Sequence, residues 1–367
     1  MANIAFEPEC LTIGLGNACN LDCTYCYAKV RPAHETPPLH LPAFLAAVQA
    51  GAELVGRTCA RKRQRMFFGF QGAGEPFLDF DLLARVDEAV RAVATRHVLP
   101  VFSYITSNGT MGEAPYRWAA ERFDRICLSI DGPPRLHDLA RRFRDGEPTS
   151  ALVGEAVTLL KALGKPPACR VTVTRNNVDG MAEMAGFLFI DLGLTDVQFE
   201  PVYSHPDLHP DPKKFVQGLH AARAIARSRA GAVVYSGYRP GEKHGPYCQT
   251  SRRVLFVTRN GTASACLFQE SEESASRFAI GTHSRKTGAF AIAQSRIDAI
   301  EAAVARLPDA CQACAIQDHC VRGCPDLCPL DPAHQAQDVT RTLSCRINRL
   351  LYAEEQADSS ECTPGPG

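Results

Sequence analysis

The sequence of 367 residues lacks any excess of one charge, since 40 Lys and Arg balance 40 Asp and Glu. Net charge therefore gives no reason to expect a nucleic-acid partner, and none is expected. No stretch approaches the roughly 18 uninterrupted apolar residues of a membrane-spanning helix, so no membrane partner is expected either. The opening segment, MANIAFEPEC, has neither the basic start nor the apolar run of a secretory signal. Blocks of like charge are absent apart from Arg61-Lys62-Arg63, which reads as a solvated loop or helix end. No internal repeat is evident. The composition, 45% hydrophobic and 22% charged, is that of a soluble globular protein. Cytoplasmic localisation is the expectation, and the length suits two or three structural units.

Cysteine, by contrast, is abundant, with 16 copies. In a reducing compartment disulfides are rare, and clustered cysteines read as metal or redox sites. One group holds Cys19, Cys23 and Cys26; a second runs from Cys248 to Cys345. Cys59, Cys127 and Cys169 stand apart in the middle and read as small buried hydrophobes. Cys362, in the tail SSECTPGPG, reads as incidental.

Through residue 203 the pattern alternates β-rich apolar runs with helical periodicity. Strands are expected at Cys10–Leu15, Arg65–Gln71, Leu99–Thr106, Arg125–Asp131, Ala168–Thr174 and Asp196–Pro201. Helices are expected at Pro42–Gly56, Phe80–Thr95, Ala114–Arg122, Ser150–Leu163 and Gly180–Asp191. Such βα alternation implies a parallel sheet with crossover helices, here an open or partial barrel of six repeats. In barrels of this kind the chemistry sits at the C-terminal strand ends. The unusual segments fall there: CNLDCTYCY (19–27), GAGEP (72–76), TSNGT (106–110), SIDG (129–132), TRNN (174–177) and EPVY (200–203). Any one of them reads simply as a turn, but six together define one rim. A further helix is expected over roughly Lys213–Ala230. The Gly-, Pro- and Tyr-rich stretch VVYSGYRPGEKHGPY then reads as a linker, in which Tyr235, Tyr238, Arg239 and His244 are either loop packing or the border of a cleft. Asn260-Gly261 between two apolar runs signals a β-hairpin.

Three cysteines within eight positions do not complete a structural zinc shell, which takes four protein ligands. A four-iron cluster also needs four, so three leave one iron open to a ligand. This loop, with Tyr25 before its last cysteine, resembles the signature of radical S-adenosylmethionine (SAM) enzymes. The resemblance implies that SAM chelates the open iron through its amino and carboxylate groups. Reductive cleavage then yields a 5′-deoxyadenosyl radical that abstracts hydrogen from substrate. GAGEP resembles the family's Gly-Gly-Glu-Pro element, so Gly74 and Glu75 are implied to meet the SAM ammonium. FGFQGAG is not a dinucleotide fingerprint, because its glycine order is wrong. By the same resemblance Ser129 and Asp131 meet the ribose hydroxyls, Arg141 the SAM carboxylate, and Tyr25 lies against the adenine.

The later cysteines resemble the SPASM domain, an extension of some radical SAM enzymes that holds two auxiliary four-iron clusters. A zinc ribbon is the competing reading, which seven or eight cysteines fit poorly. Family analogy places one cluster on Cys311, Cys314, Cys320 and Cys345, and another on Cys248, Cys266 and Cys324. Cys328 is a candidate fourth ligand or an unligated thiol. The expected architecture is thus α/β: a partial (β/α)6 TIM-like radical SAM barrel at 1–235, a small cysteine-rich SPASM domain with a β-hairpin at 236–352, and a disordered tail at 353–367. The cofactors implied are SAM and three [4Fe-4S] clusters, one catalytic and two auxiliary.

Relatives of this type most often modify peptides or proteins, so the implied function is a peptide-maturing oxidoreductase making a crosslink or an oxidation. SIDGPPRLHDLARRF strongly resembles the matching segment of sulfatase-maturating enzymes. That group carries an acid, its presumed base, after the second SPASM cysteine, whereas Leu267 follows Cys266 here. The alternatives are formylglycine maturation of a sulfatase, and a dehydrogenase or epimerase of a small molecule such as an aminosugar. A non-enzymatic electron-transfer protein is a third class, against which Glu75 and SIDG argue. The expected partners are a peptide or protein substrate and an electron donor such as flavodoxin or ferredoxin. Since the first strand is expected by about residue 10, a leader peptide would need a separate leader-binding protein or the barrel surface.

Overall fold

The computed structural model describes residues 6–27, 39–72, 74–240, 242, 252–267, 278–321 and 337–361, with side chains to 356. Among them the strands are β1 (Cys10–Ile13), β2 (Met66–Phe70), β3 (Val101–Ser107), β4 (Arg125–Ser129), β5 (Ala168–Val173), β6 (Asp196–Pro201), β7 (Ala232–Val234), β8 (Val254–Val257), β9 (Thr262–Ser264), β10 (Ala279–Ser284) and β11 (Ala289–Ile292). The helices are α1 (Leu41–Lys62), α2 (Phe80–Arg96), α3 (Glu113–Arg122), α4 (Pro134–His137), α5 (Ser150–Ala162), α6 (Met181–Gly186), α7 (Pro212–Ser228), α8 (Gln294–Ala305), α9 (Asp309–Gln312) and α10 (Leu343–Glu361). The six strands expected from the sequence all stand within a residue or two of their expected bounds.

The chain divides into two compact units. The first comprises Met1–Ile130, Asp138–Ala168 and Cys248–Ala302. Its strands run in the order β11-β10-β9-β8-β1-β2-β3-β4. β1 to β4 are parallel neighbours, and β8 adds to the free edge of β1, also in parallel, with Leu11 opposite Leu255. The β8–β9 hairpin forms where expected, and Gly261 takes the positive φ of 78° that its turn requires. A second hairpin, β10–β11, was not legible: Ala279–Ser284 mixes polar with apolar positions, and Ala289–Ile292 is only 4 residues long.

Helix ends follow local chemistry. His40 accepts from the Ala43 amide at the start of α1, and proline occupies its first turn. Asp79 caps α2. Asp138 accepts from the Thr149 and Ser150 amides and from the Ser150 hydroxyl, and so anchors α5. Arg61 and Lys62 end α1 and Arg63 adopts the left-handed conformation, so this basic run is a helix terminus. Phe44, Val48 and Val55 of α1, with Leu11, Ile13, Phe68, Phe70, Ile105 and Leu128 of the strands, are buried. Each such side chain contributes about 1.5–3 kcal/mol. Cys59 and Cys169 are buried as expected, while Cys127 is only half-buried.

The second unit comprises Asp131–His137, Cys169–Tyr247 and Ala303–Gly367. β5, β6 and β7 are parallel neighbours, with Thr172 opposite Glu200. Asp211 caps α7 through the Lys213 and Lys214 amides. The helix expected to Asp191 keeps α-geometry only to Gly186 and continues as a π-helical turn, Phe187–Asp191. The stretch read as a linker is structured at its start: it begins in β7, and Tyr235, Ser236 and Tyr238 are buried. Local composition hid this, because these residues are fixed by partners far along the chain. α10 continues to Glu361, into the segment expected as a tail; its Leu, Ala and Glu content favours helix.

Candidate functional site

The cysteine loop leaves β1 in the first unit and is clamped from one side. The Asp22 amide donates to the Arg142 carbonyl (2.8 Å) and the Thr24 amide to the Ala140 carbonyl (3.0 Å), while Leu21 bridges Phe143. Within the loop the Cys26 amide donates to the Cys23 carbonyl. Cys19, Cys23 and Cys26 are half-buried thiols, none in a disulfide. Burial raises the Cys19 pKa; the Leu21 and Asn108 donors oppose that, and the nearby charges of Glu75 and Cys26 add to it.

The GAGEP segment packs directly on this loop. Gly74 has φ +86°, and a Cβ there would sit 2.4 Å from the Gly16 carbonyl oxygen and 2.6 Å from that of Ala18. The Glu75 amide donates to the Ala18 carbonyl at 2.8 Å. Its side chain is buried, and one carboxylate oxygen accepts from the Asn108 amide at 2.7 Å. Burial pushes its pKa up to about 7, against the Asn108, Ser107 and Phe77 donors and the Arg141 charge. Arg141 lies over the Tyr25 ring, 5.3 Å from its centroid, and both are buried. Cys19, Cys26, Tyr25, Gly74, Glu75 and Arg141 are thus brought together.

Ser129 ends β4 in the same unit, half-buried. Asp131, in the second unit, is buried; its carboxylate accepts from the Thr172 amide at 2.9 Å and its amide donates to His137 Nδ1. That oxygen already carries a structural bond within its own unit.

Three residues that sequence reasoning passed over have defined places. The Asn108 side-chain amide reaches Cys19 Sγ (3.8 Å) and Asn20 Oδ1 (2.8 Å), and Asn20 in turn donates to Thr110. TSNGT reads as a rim turn, and only the fold shows that it supports the thiol loop. Glu200, ending β6, is buried; one oxygen accepts from Gln198 and the Ser236 amide, and the other has no hydrogen-bond partner among the described residues. Asn348 of α10, also buried, donates to Cys320 Sγ. Glu200 opens the rim segment EPVY, while no sequence signal marks Asn348.

Four of the later cysteines lie in the second unit. Cys311 and Cys320 are buried, Cys314 and Cys345 half-buried. Burial pushes the Cys345 thiol up to about 12, with Cys320, Cys311 and Cys314 adding to the rise and Arg349 opposing it. Cys345 therefore stands within electrostatic reach of the other three. Among the described residues, no three His, Cys, Asp or Glu side chains close around a point that would hold a single metal ion. The four thiols fit the donor set of the multi-iron cluster expected for them from the sequence. At the first loop, three thiols beside a glycine cradle and a buried carboxylate likewise fit a cluster with one open position. Cys266, after β9, belongs to the first unit, where Ser264 Oγ accepts from its amide. Cys248, Cys324, Cys328 and His244 lie outside the described residues. None of the described helices is long and apolar enough to cross a membrane.

This arrangement of strands, thiols and carboxylate agrees with the comparison to known families. Residues 13–188 match the radical SAM superfamily, so the chain carries a radical SAM domain. Among curated proteins it is similar to an uncharacterized protein of Methanocaldococcus jannaschii, 25% identical over 191 residues, which are 52% of this chain and 61% of that one. It is also similar to a serine-type anaerobic sulfatase-maturating enzyme of Bacteroides thetaiotaomicron, 23% identical over 227 residues, 60% of this chain and 50% of that one. The matched segments span from half to about six-tenths of those relatives. Among solved structures, native anSMEcpe with bound AdoMet matches with a TM-score of 0.73 and 19% identity, covering 96% of this chain and 99% of that one. The same protein with AdoMet and the Cp18Cys peptide matches at 0.73 and 18%, covering 96% and 98%. The expected α/β fold of radical SAM TIM-like type is therefore the fold of this chain.

Proposed function

We propose that this radical SAM enzyme cleaves SAM reductively and abstracts hydrogen from a side chain of a peptide or protein substrate. In this reading Cys19, Cys23 and Cys26 hold the catalytic [4Fe-4S] cluster, which when bound supplies the electron for cleavage. The chain's own groups do the positioning. Gly74 lets the backbone approach the ligand closely, and Glu75 offers a carboxylate to the SAM ammonium. Arg141, steadied on Tyr25, presents a guanidinium to the SAM carboxylate. Ser129 and Asp131 take the ribose hydroxyls. The observation that carries the reading is the packing of Gly74-Glu75 onto the thiol loop, closed by the Arg141–Tyr25 pair.

The proposed organisation is a barrel over 1–235 and an auxiliary-cluster domain over 236–352, beyond which α10 runs on to Glu361. One auxiliary cluster is assigned to Cys311, Cys314, Cys320 and Cys345, and another to Cys248, Cys266 and Cys324, with Cys328 as a candidate fourth ligand. The peptide substrate is supported by the fold likeness to anSMEcpe, whose structures include peptide-bound ones. Formylglycine maturation of a sulfatase is the second reading. The relative from B. thetaiotaomicron favours it, and Leu267 in place of an acid disfavours it.

The test is Cys23→Ala in anaerobically reconstituted protein. SAM cleavage by dithionite, followed as 5′-deoxyadenosine, should be abolished, while the later cysteines keep their iron. Persistent cleavage would place the catalytic cluster elsewhere. Peptides encoded beside the gene, incubated with wild-type protein and read by mass spectrometry, should lose two hydrogens at one residue.

A further inference from the structure

In the second unit, Asn348 of α10 is wholly buried and fully bonded. Its amide nitrogen donates to Cys320 Sγ at 3.1 Å and to the Gly237 carbonyl at 2.8 Å. Its Oδ1 accepts from the Tyr235 hydroxyl at 3.0 Å. The Gly237 carbonyl can only accept, so a flipped amide would set two acceptors face to face; the N–H group is held toward the sulfur. Tyr235 is itself buried against Phe215 and accepts from the Tyr203 hydroxyl at 3.5 Å. The neighbouring strap fixes Cys320 as well: Tyr238 bridges it, the Val321 amide donates to the Gly237 carbonyl, and the Arg239 amide donates to the His319 carbonyl.

A donor aimed at sulfur favours the more negative form of that sulfur, because charge-assisted hydrogen bonds are the stronger ones. For an iron–sulfur group, donors to the sulfurs and exclusion of solvent set the reduction potential. We infer that Asn348 is a positioning residue that raises the reduction potential of the cluster carried by Cys311, Cys314, Cys320 and Cys345, with Tyr235 holding its amide in place. This rests on the auxiliary-cluster assignment proposed above. The process is a one-electron reduction: the electron comes from the titrant and enters the cluster, and no covalent bond forms or breaks.

The experiment is a redox titration of the anaerobically reconstituted full chain followed by electron paramagnetic resonance, with iron counted in every sample. Asn348→Leu should keep its iron and shift one cluster to a lower potential. An exchangeable-proton coupling seen in the reduced wild type by electron–nuclear double resonance should disappear. Unchanged potential and coupling at full iron content overturn the inference. Should Asn348→Leu lose iron, Tyr235→Phe decides: a smaller shift in the same direction supports the inference and no shift overturns it. A wild type without iron on these four cysteines refutes the cluster assignment itself, and the inference falls with it.

Discussion

Glu75 joins a packing role to the chemistry proposed for it. Its carboxyl is buried, and its pKa rises from 4.5 to about 7 because the lost hydration outweighs the donors around it. An unfolded chain would ionise it near its ordinary value. Between about pH 4.5 and 7 the folded protein thus holds a proton that the unfolded one has released. Stability from this group is full below the lower value and falls as pH rises, by up to ~3 kcal/mol. Urea unfolding of the apoprotein at pH 5 and pH 7.5 should show that fall, and Glu75→Gln should flatten it. An equal fall in the variant would mean that another group titrates. A bound sulfonium amine would favour the ionised form, so SAM binding near pH 7 should release a proton in wild type only.

At the scale of elements, two loops must touch for the site to exist, and Gly74 is where they touch. Gly74→Ala meets two penalties, a strained positive φ and a Cβ driven against the Gly16 and Ala18 carbonyls. Gly146→Ala offers a control, because φ there is +90° but nothing lies within 4 Å. The control should cost ~1 kcal/mol and Gly74→Ala clearly more, read as the difference in thermal midpoint, with iron lost from the first loop in Gly74→Ala alone. Equal costs would show that the glycine serves its turn rather than the contact. The six strand ends were legible because period-two apolar runs and Gly-, Asn- and Asp-bearing turns are local signals. The support given by Asn108 to Cys19 was not, since it depends on residues 89 positions apart. Of the two readings open for Tyr235 and Tyr238, packing is the one the fold gives, and local sequence could not choose it for the same reason: their partners Asn348 and Glu355 lie 113 and 117 positions away. Glu200 was hidden among turn residues, and that one of its oxygens has no partner among the described residues is a property of the fold alone.

Over the described residues the thiols proposed as cluster ligands fall into two sets. The first unit carries Cys19, Cys23, Cys26 and Cys266, and the second carries Cys311, Cys314, Cys320 and Cys345. Burial raises the pKa of Cys19 and of Cys345 and disfavours their thiolates until a cation arrives, so metal loading should release protons and stabilise the fold. If all three clusters form, reconstituted protein should hold about twelve irons. Replacing Cys311 and Cys345 together by Ala should remove about four irons and lower the thermal midpoint, because buried space and a multivalent cross-link are both lost. SAM cleavage by a chemical reductant should survive, since the thiols proposed for it are near the start of the chain. Turnover on a peptide should not survive if the later clusters carry away the electron left after hydrogen abstraction. Loss of SAM cleavage in that double variant, with the remaining irons intact, would show that the two sets of thiols do not act separately. A wild-type count near four irons with stoichiometric zinc would replace the auxiliary clusters by a zinc ribbon.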